Sequence, residues 1–229
     1  MAGKIVVTGA TSGLGLALID ALGRAGYEPV LTGRRADRVA RLAADKGVSG
    51  YVLDVSDPGS IASVTTRILR DHGPVYGLVN NAGIWLEGAY ETHRPATIRA
   101  VIDTNTTGTM LMTHALLPAM LEQRRGVVVN VVSTGALYCR KMIAVYAASK
   151  WAIRGFTGCL EVECAPKGVR VMGFYPGKIE TSMYESAGVA RDLQVAMAPD
   201  DAAAMVATMI RDETMVWSQV AGRSIRDYL

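Results

Sequence analysis

The sequence is poor in the residues that build metal centres and disulfide frameworks. It contains three cysteines and three histidines among 229 residues. The cysteines are odd in number and lack metal-type spacing, and the histidines lie far apart with no HExxH pair, so we expect no metal site. Unpaired cysteines are typical of a reducing compartment, and we therefore expect a cytoplasmic protein.

Long hydrophobic runs and a surplus of one charge are also absent. No apolar stretch reaches the roughly 18 residues that span a bilayer. The strand-like run KIVVTGA follows only three residues, which predicts that there is no signal peptide. The 24 basic and 21 acidic residues leave a net charge of +3, and the basic residues are scattered. We accordingly expect neither a membrane nor a nucleic-acid partner.

Short β-branched runs alternate with helical patterns along the whole chain. Strands are predicted at KIVVT, PVLT, YVLDV, YGLVNN, GVVVNVVS and VRVMGFYP, with MVWSQVA as a further candidate. Helices are predicted over 13–25, from Asp37 onward, and over 58–71, 95–124, 144–163 and 200–210. Continuously apolar strands between helices predict an α/β fold: one Rossmann-type, doubly wound domain over residues 1–229, with about seven parallel strands covered on both faces. Ligands bind at the carboxyl ends of such strands.

A glycine-rich loop, TGATSGLG, follows the first strand and opens the first helix. Glycines in this strand–turn–helix setting let the backbone approach a pyrophosphate, which the free N–H groups of the helix N-terminus can bind. The alternative is an ordinary strand–helix turn. No Gly-Lys-Ser/Thr follows, so the loop is not of the NTPase type. The loop residues expected at the nucleotide are Gly9, Thr11, Ser12, Gly13, Leu14 and Gly15.

Arg34 and Arg35 follow the second strand, just before the helix that begins near Asp37. Cations are unfavourable there because the helix macrodipole already makes the N-terminus positive. A 2′-phosphate on adenosine would explain both arginines, since guanidinium groups bind phosphate in pairs. With no acid at this strand end, the pattern favours NADP over NAD, although a solvated pair is the alternative. Asp54 is a candidate acceptor for the adenine amino group, or a cap for the turn before Ser56.

Tyr146 and Lys150 lie one turn apart in the helix AVYAASKWAIRG, on the same face. Ser133 ends the fifth strand, at the edge where ligands bind. Each residue has a structural alternative: an amphipathic tyrosine, its surface lysine neighbour, and a serine that ends a strand. Asn105 could likewise cap or kink a long helix. Their joint spacing favours a catalytic set.

Together these residues resemble the short-chain dehydrogenases/reductases, in the simple single-domain branch that uses NADP. The matching motifs are TGATSGLG, NNAG, the asparagine of DTNTTG, Ser133, YAASK and PGKIET, spread over residues 8 to 181 in the family's order. The resemblance implies an NADPH-dependent carbonyl reductase that also works as an alcohol dehydrogenase on a small molecule. Narrower or different alternatives are a reductase of carrier-bound 3-oxoacyl groups, a non-catalytic NADPH sensor and a methyltransferase.

The resemblance also assigns residue roles. Tyr146 would protonate the carbonyl oxygen. Lys150 and the positive nicotinamide ring would together lower the pKa of Tyr146, and Lys150 would also hold the nicotinamide ribose. Ser133 would hydrogen-bond the substrate oxygen, and Asn105 would hold a water that links Lys150 to solvent. Further cofactor contacts are implied for Asp54, Val55, Asn81, Ala82, Gly83, Pro176, Gly177, Ile179 and Thr181.

The sequence departs from the family in its short substrate loop, 178–199, and in a C-terminus without the usual glycine-rich end. The second departure leaves the choice between homodimer and homotetramer open, with the helices over 97–124 and 144–163 as candidate interface. Cys159 and Cys164 are predicted to be buried helix residues. Candidate substrate-pocket residues are Trp85, Glu87, Tyr138, Arg140, Met142, Met183 and Tyr184.

Overall fold

The structure, a computed structural model, describes residues 3–190 and 192–225 and is built on one seven-stranded sheet. All strand pairs are parallel, in the order β3-β2-β1-β4-β5-β6-β7. The strands are β1 Lys4–Val7, β2 Glu28–Gly33, β3 Ser49–Val52, β4 Gly77–Asn80, β5 Gly126–Val131, β6 Val169–Pro176 and β7 Gln219–Gly222. The predicted Rossmann-like α/β fold with a doubly wound parallel sheet is confirmed.

Helices cover both faces of the sheet. One core cluster packs helices α1 and α8 against one face, and another packs α3 and α5 against the opposite face. Burial on both faces explains why the strands read as continuous apolar runs. The helices are α1 Gly13–Arg24, α2 Ala36–Lys46, α3 Pro58–His72, α4 Pro95–Ile102, α5 Gly108–Glu122, α6 Ala144–Cys164, α7 Met183–Ser186 and α8 Pro199–Arg211.

The helix predicted over 95–124 is interrupted by a π-helical segment, Asp103–Thr107, between α4 and α5. Such segments are rare and are frequent at functional sites. β3 ends at Val52, before the predicted LDV, because the Asp54 carboxylate accepts bonds from the N–H and hydroxyl of Ser56 and turns the chain. The final strand is likewise shorter than predicted.

The prediction for the cysteines is half correct. Cys164 is buried, but Cys159 is exposed because it lies on the solvent side of α6. Within residues 3–190 and 192–225, no helix is long and apolar enough to cross a membrane. Nor do the His, Cys, Asp and Glu side chains of these residues form a group of three or more that could hold a metal ion.

Candidate active site

The glycine-rich loop between β1 and α1 is fixed by the segment that follows β4. The Thr8 hydroxyl accepts hydrogen bonds from the backbone N–H groups of Asn81 and Ala82, each 3.0 Å long. In return, the Asn81 side chain donates to the carbonyl oxygens of Thr8 and Gly9 at 2.9 and 3.2 Å. Gly9 has φ +65°, and a Cβ there would lie 2.9 Å from the Ala82 Cα. The loop is therefore a rigid concave turn in which only glycine fits at this position.

The N-terminus of α1 faces this turn. Ser12 is the N-cap residue in extended conformation, and its side chain makes no capping hydrogen bond within the described chain. The first amides of α1 are consequently available to phosphate oxygens. A Cβ on Gly15 would collide with the Gly9 carbonyl oxygen. A Cβ on Gly33 would lie 2.5 Å from a methyl group of Thr11. Glycine at these two positions therefore permits close packing at the turn. These features fit the pyrophosphate of a dinucleotide. Leu14 is buried in the core below, so only its backbone can face a ligand.

The two arginines after β2 differ in their surroundings. Arg35 forms a bidentate pair with Asp37, with Nη2 2.9 Å from Oδ2, and both side chains are mostly exposed. Arg35 therefore has a partner within the chain, and Asp37 compensates one of the two unfavourable positive charges before α2. Arg34 is exposed and makes no ion pair with another described residue.

Asp54 lies near Arg34, across the end of the neighbouring strand. Partial burial raises the pKa of the Asp54 carboxyl, but hydrogen bonds from Ser56 and the charge of Arg34 outweigh it and lower the pKa overall. The turn before Ser56 is therefore capped by Asp54, as the structural alternative predicted, and Oδ1 is the atom used. Val55 is buried, with its carbonyl against Gly108 at the start of α5.

Tyr146, Lys150 and Ser133 meet at the carboxyl end of β5. Ser133 is the second residue after β5, and its hydroxyl accepts a bond from the Gly135 N–H at 3.0 Å. Lys150 Nζ lies 5.9 Å from the centroid of the Tyr146 ring and donates to the Val131 carbonyl oxygen at 2.9 Å. A Cβ on Gly83 would lie 3.6 Å from Lys150 Nζ, so the NNAG segment reaches this cluster.

Burial dominates the electrostatics of this cluster. It raises the pKa of Tyr146 to about 12, with a smaller opposing effect from a hydrogen bond to Ser133. Tyr184 raises the pKa of Tyr146 further, and Arg140 lowers it. Burial also lowers the pKa of Lys150 to about 8. In the polypeptide alone, the desolvation of the phenolate therefore outweighs the protein charges near it. The lowering expected from Lys150 together with the nicotinamide ring stays a prediction for the complex with the cofactor.

Asn105 lies in the π-helical segment and ties three elements together. Its Oδ1 accepts from the Ile84 N–H at 2.8 Å, and its Nδ2 donates to the Ile84 carbonyl at 3.0 Å and to Ser149 Oγ at 3.1 Å. Ser149 in turn donates to the Tyr146 carbonyl at 2.6 Å. A Cβ on Gly83 would lie 3.3 Å from Asn105 Oδ1. The Asn105 amide therefore fixes the loop after β4 relative to the helix that carries Tyr146 and Lys150.

Sequence reasoning missed Thr8 and Ser149. Both are short hydroxyl residues inside recognised motifs, at the end of a strand and between Tyr146 and Lys150. Their position could have drawn attention, but their partners lie 73 and 44 residues away in the chain. Only the folded structure shows that they connect the motifs.

The segment predicted as substrate loop leaves β6 at Pro176 and returns to the sheet. Gly177 N donates to the Gly222 carbonyl at 2.8 Å, and Ile179 pairs with Met197 in an isolated bridge. Thr181 contacts Gly13 of the glycine loop. Of the candidate pocket residues, Trp85, Met183 and Tyr184 join Tyr146 in one apolar cluster. Tyr138, Arg140 and Met142 are exposed.

Known proteins share the sequence of most of this chain. The family model described as short chain dehydrogenase matches residues 3–192. Dehydrogenase/reductase SDR family member 7B of Bos taurus is 36% identical over 190 residues, which cover 78% of this chain and 58% of that protein. Serine 3-dehydrogenase of Rhizobium radiobacter is 36% identical over 184 residues, which cover 79% of this chain and 74% of that protein. The chain thus spans less than two thirds of the bovine relative.

Solved structures share the fold over nearly the whole chain. The closed form of serine dehydrogenase complexed with NADP⁺ has a TM-score of 0.90 and 26% identity, and the match covers 96% of this chain and 94% of that one. The 3-ketoacyl-(acyl-carrier-protein) reductase of Brucella melitensis complexed with NADH has a TM-score of 0.90 and 25% identity, with 98% of each chain covered. Structures of this fold therefore hold cofactors both with and without the 2′-phosphate.

Proposed function

Because the chain belongs to the short-chain dehydrogenase/reductase family, we propose that it is a single-domain, NADP(H)-dependent oxidoreductase that interconverts a small-molecule carbonyl compound and its alcohol. The observation that carries this proposal is the meeting of Tyr146, Lys150 and Ser133 at the carboxyl edge of the sheet, next to the glycine loop. A protein that only binds the cofactor has no use for a buried proton donor there.

The cofactor would lie along this edge. The amides at the start of α1 face its pyrophosphate, Arg34 its 2′-phosphate, and Asp54 its adenine amino group. Bound NADPH supplies the hydride that goes to the carbonyl carbon. Arg35 adds charge at the 2′-phosphate when it leaves Asp37. Other contacts are proposed for Gly9, Thr11, Ser12, Gly13, Leu14, Gly15, Val55, Asn81, Ala82, Gly83, Pro176, Gly177, Ile179 and Thr181.

Tyr146 would give its phenolic proton to the carbonyl oxygen while Ser133 donates a hydrogen bond to the same oxygen. A pKa of about 12 makes the phenol a weak acid on its own. A cation beside it is therefore required, and Lys150, with a pKa of about 8, carries that charge at neutral pH. Lys150 would also hold the ribose hydroxyls and, with water held at Asn105, return a proton to Tyr146.

The first experiment measures cofactor consumption with NADPH and NADH in parallel on a panel of ketones, aldehydes, quinones and acyl thioesters. We expect turnover that is faster with NADPH and is lost in the Tyr146→Phe variant. Turnover on thioesters alone would narrow the substrate to carrier-type 3-oxoacyl groups. Tight NADPH binding without turnover of any compound would contradict the proposal and indicate a sensor.

Arg34 is expected to set the preference for the 2′-phosphate. Arg34→Ala should raise the Kd for NADPH by about tenfold to a hundredfold, because a charge-assisted hydrogen bond contributes on the order of 1.5–3 kcal/mol. The Kd for NADH should change little. Fluorescence titration of both cofactors measures this directly.

Two further arginine variants make the comparison specific. Arg35→Ala should have a smaller effect than Arg34→Ala, because Arg35 must first leave Asp37. Arg41→Ala removes an exposed arginine farther along α2 and serves as the matched control. Equal loss of NADPH affinity in all three variants would mean that only general positive charge matters.

We also propose that the protein forms a homodimer through α6. The exposed face of this helix carries small and apolar residues at helical spacing, and Cβ atoms added at Gly155 and Gly158 would meet open space.

Gly155→Arg should convert the dimer into monomers in light scattering, since a long charged side chain would prevent close helix packing. Ala204→Arg, at an exposed position of α8, is the control. The same molar mass in solution for the wild type, Gly155→Arg and Ala204→Arg would exclude this interface. The face comprises Ala148, Trp151, Ala152, Gly155, Gly158, Cys159 and Val162.

A further inference from the structure

Three aromatic rings, those of Tyr146, Trp85 and Tyr184, pack together at the proposed proton donor. The Trp85 ring centroid lies 4.3 Å from that of Tyr146, with the planes tilted by 50°. Trp85 also meets Tyr184 edge-on, with centroids 4.9 Å apart. Trp85 is 6% exposed and Tyr146 5% exposed, so both rings are almost fully enclosed. The proton donor is therefore covered by aromatic surface.

The indole of Trp85 is held in one orientation. Its Nε1–H donates to Glu87 Oε2 at 3.0 Å, which satisfies the single polar atom of the side chain. The remaining neighbours in this cluster are apolar, and the indole therefore presents an apolar aromatic face. The cluster comprises Trp85, Ile143 and Tyr146, with Ala147, Met183, Tyr184 and Val189 packed against it.

Tyr184 also packs beside the proposed proton donor. Its ring and that of Tyr146 both lie against Trp85, with centroids 4.9 and 4.3 Å from the indole. A carbonyl oxygen has to reach hydrogen-bond distance of the Tyr146 hydroxyl. An aromatic group on the substrate can then take the place of the Tyr184 ring against Trp85. Tyr184 belongs to α7, a helix of four residues in the loop between β6 and α8, outside the sheet.

From this arrangement we propose that Trp85 is a specificity-determining residue and that the preferred substrates are ketones or aldehydes with a planar aromatic substituent next to the carbonyl. This inference rests on the proposed carbonyl reduction. The aromatic substituent takes the edge-on position of the Tyr184 ring against the indole. A saturated ring of the same size has no π-system and is too thick for this contact, so it binds less well.

The test compares acetophenone with cyclohexyl methyl ketone, which share the carbonyl and differ in the ring. For the wild type with NADPH, we expect kcat/KM to be about tenfold higher for acetophenone, the range of an aromatic pair plus its better fit. Trp85→Leu should abolish this ratio, mainly through KM for acetophenone, whereas Trp85→Phe should retain most of it. Tyr90→Ala, which removes an exposed aromatic side chain after the same strand, should keep the wild-type ratio.

Calorimetric binding of the two ketones in the presence of NADP⁺ separates this inference from the proposed function. Turnover of both ketones with a ratio near one, unchanged in Trp85→Leu, would overturn the aromatic preference and leave the carbonyl reductase intact. No turnover of these ketones or of any other compound in the panel, but tighter binding of acetophenone that Trp85→Leu removes, would contradict the reductase and support the aromatic site. Absence of both turnover and binding preference would overturn both.

Discussion

Tyr146→Phe is expected to lower kcat/KM for carbonyl reduction by about 10²- to 10⁴-fold, the contribution of a positioned general acid. The phenol is enclosed beneath Trp85, so bulk water cannot replace the missing proton donor. The substitution removes only the hydroxyl and keeps the ring that packs against Trp85 and Ile143. Steady-state kinetics with NADPH and the best substrate of the panel measure the loss.

The controls for this prediction separate catalysis from folding and cofactor binding. The Kd for NADPH should change less than about threefold, because the main cofactor contacts lie at the glycine loop. Tyr90→Phe makes the same chemical change at a side chain that is 63% exposed and should retain full activity. Retention of a tenth or more of the activity in Tyr146→Phe would show that another group donates the proton.

Lys150→Met is expected to abolish most of the activity. It should also remove the unfavourable contribution that the buried ammonium makes to the free energy of folding. We expect kcat to fall by about a hundredfold or more, because the buried phenolate of Tyr146 then lacks its cation. In the folded chain, burial disfavours the ammonium of Lys150, which is 5% exposed and donates to the Val131 carbonyl. Methionine has a similar length and no charge to desolvate.

The pH dependence of stability tests this directly. The pKa of Lys150 is about 8 in the folded chain, against an ordinary 10.5 in the unfolded chain. Between these values the unfolded state binds more protons, so the stability of the wild type rises with pH. From pH 7 to pH 10 the wild type should gain on the order of 2 to 3 kcal/mol relative to Lys150→Met. Tyr146, whose pKa is raised to about 12, lowers stability only above about pH 10 and is common to both proteins.

Denaturant unfolding at pH 7, 8, 9 and 10 gives these free energies. The exposed Lys141→Met variant should follow the wild type across the whole range. Parallel pH profiles for the wild type and Lys150→Met would mean that Lys150 is not a buried cation. If Lys150→Met loses activity but its unfolding free energy depends on pH as in the wild type, Lys150 has a positional role alone.

The sequence by itself determined the order of strands and helices and the location of the glycine loop. These features are local, because an apolar run between helical patterns specifies a buried parallel strand wherever it pairs. The i, i+4 spacing of Tyr146 and Lys150 also specifies a shared helix face without any knowledge of the sheet. Ser133 could be assigned to the ligand edge since every parallel strand ends there.

The tertiary structure decided what surrounds these residues. Contacts between segments far apart in the chain set the burial of Tyr146 and Lys150. This burial raises the pKa of Tyr146 and lowers that of Lys150, because desolvation disfavours the charged form of each side chain. The π-helical turn at Asn105 similarly depends on partners in the loop after β4 and in α6. No periodic pattern encodes such contacts.

The same distinction holds at the two ends of the site. The sequence placed Arg34 and Arg35 together, but only the fold shows that Asp37 takes Arg35 and leaves Arg34 facing Asp54. The sequence also indicated Trp85 and Tyr184 as pocket candidates, but it did not predict that they are in contact. Their contact with Tyr146 arises because the loops after β4 and β6 meet at the end of β5, and side-chain packing there is a property of three dimensions that spacing along the chain does not contain.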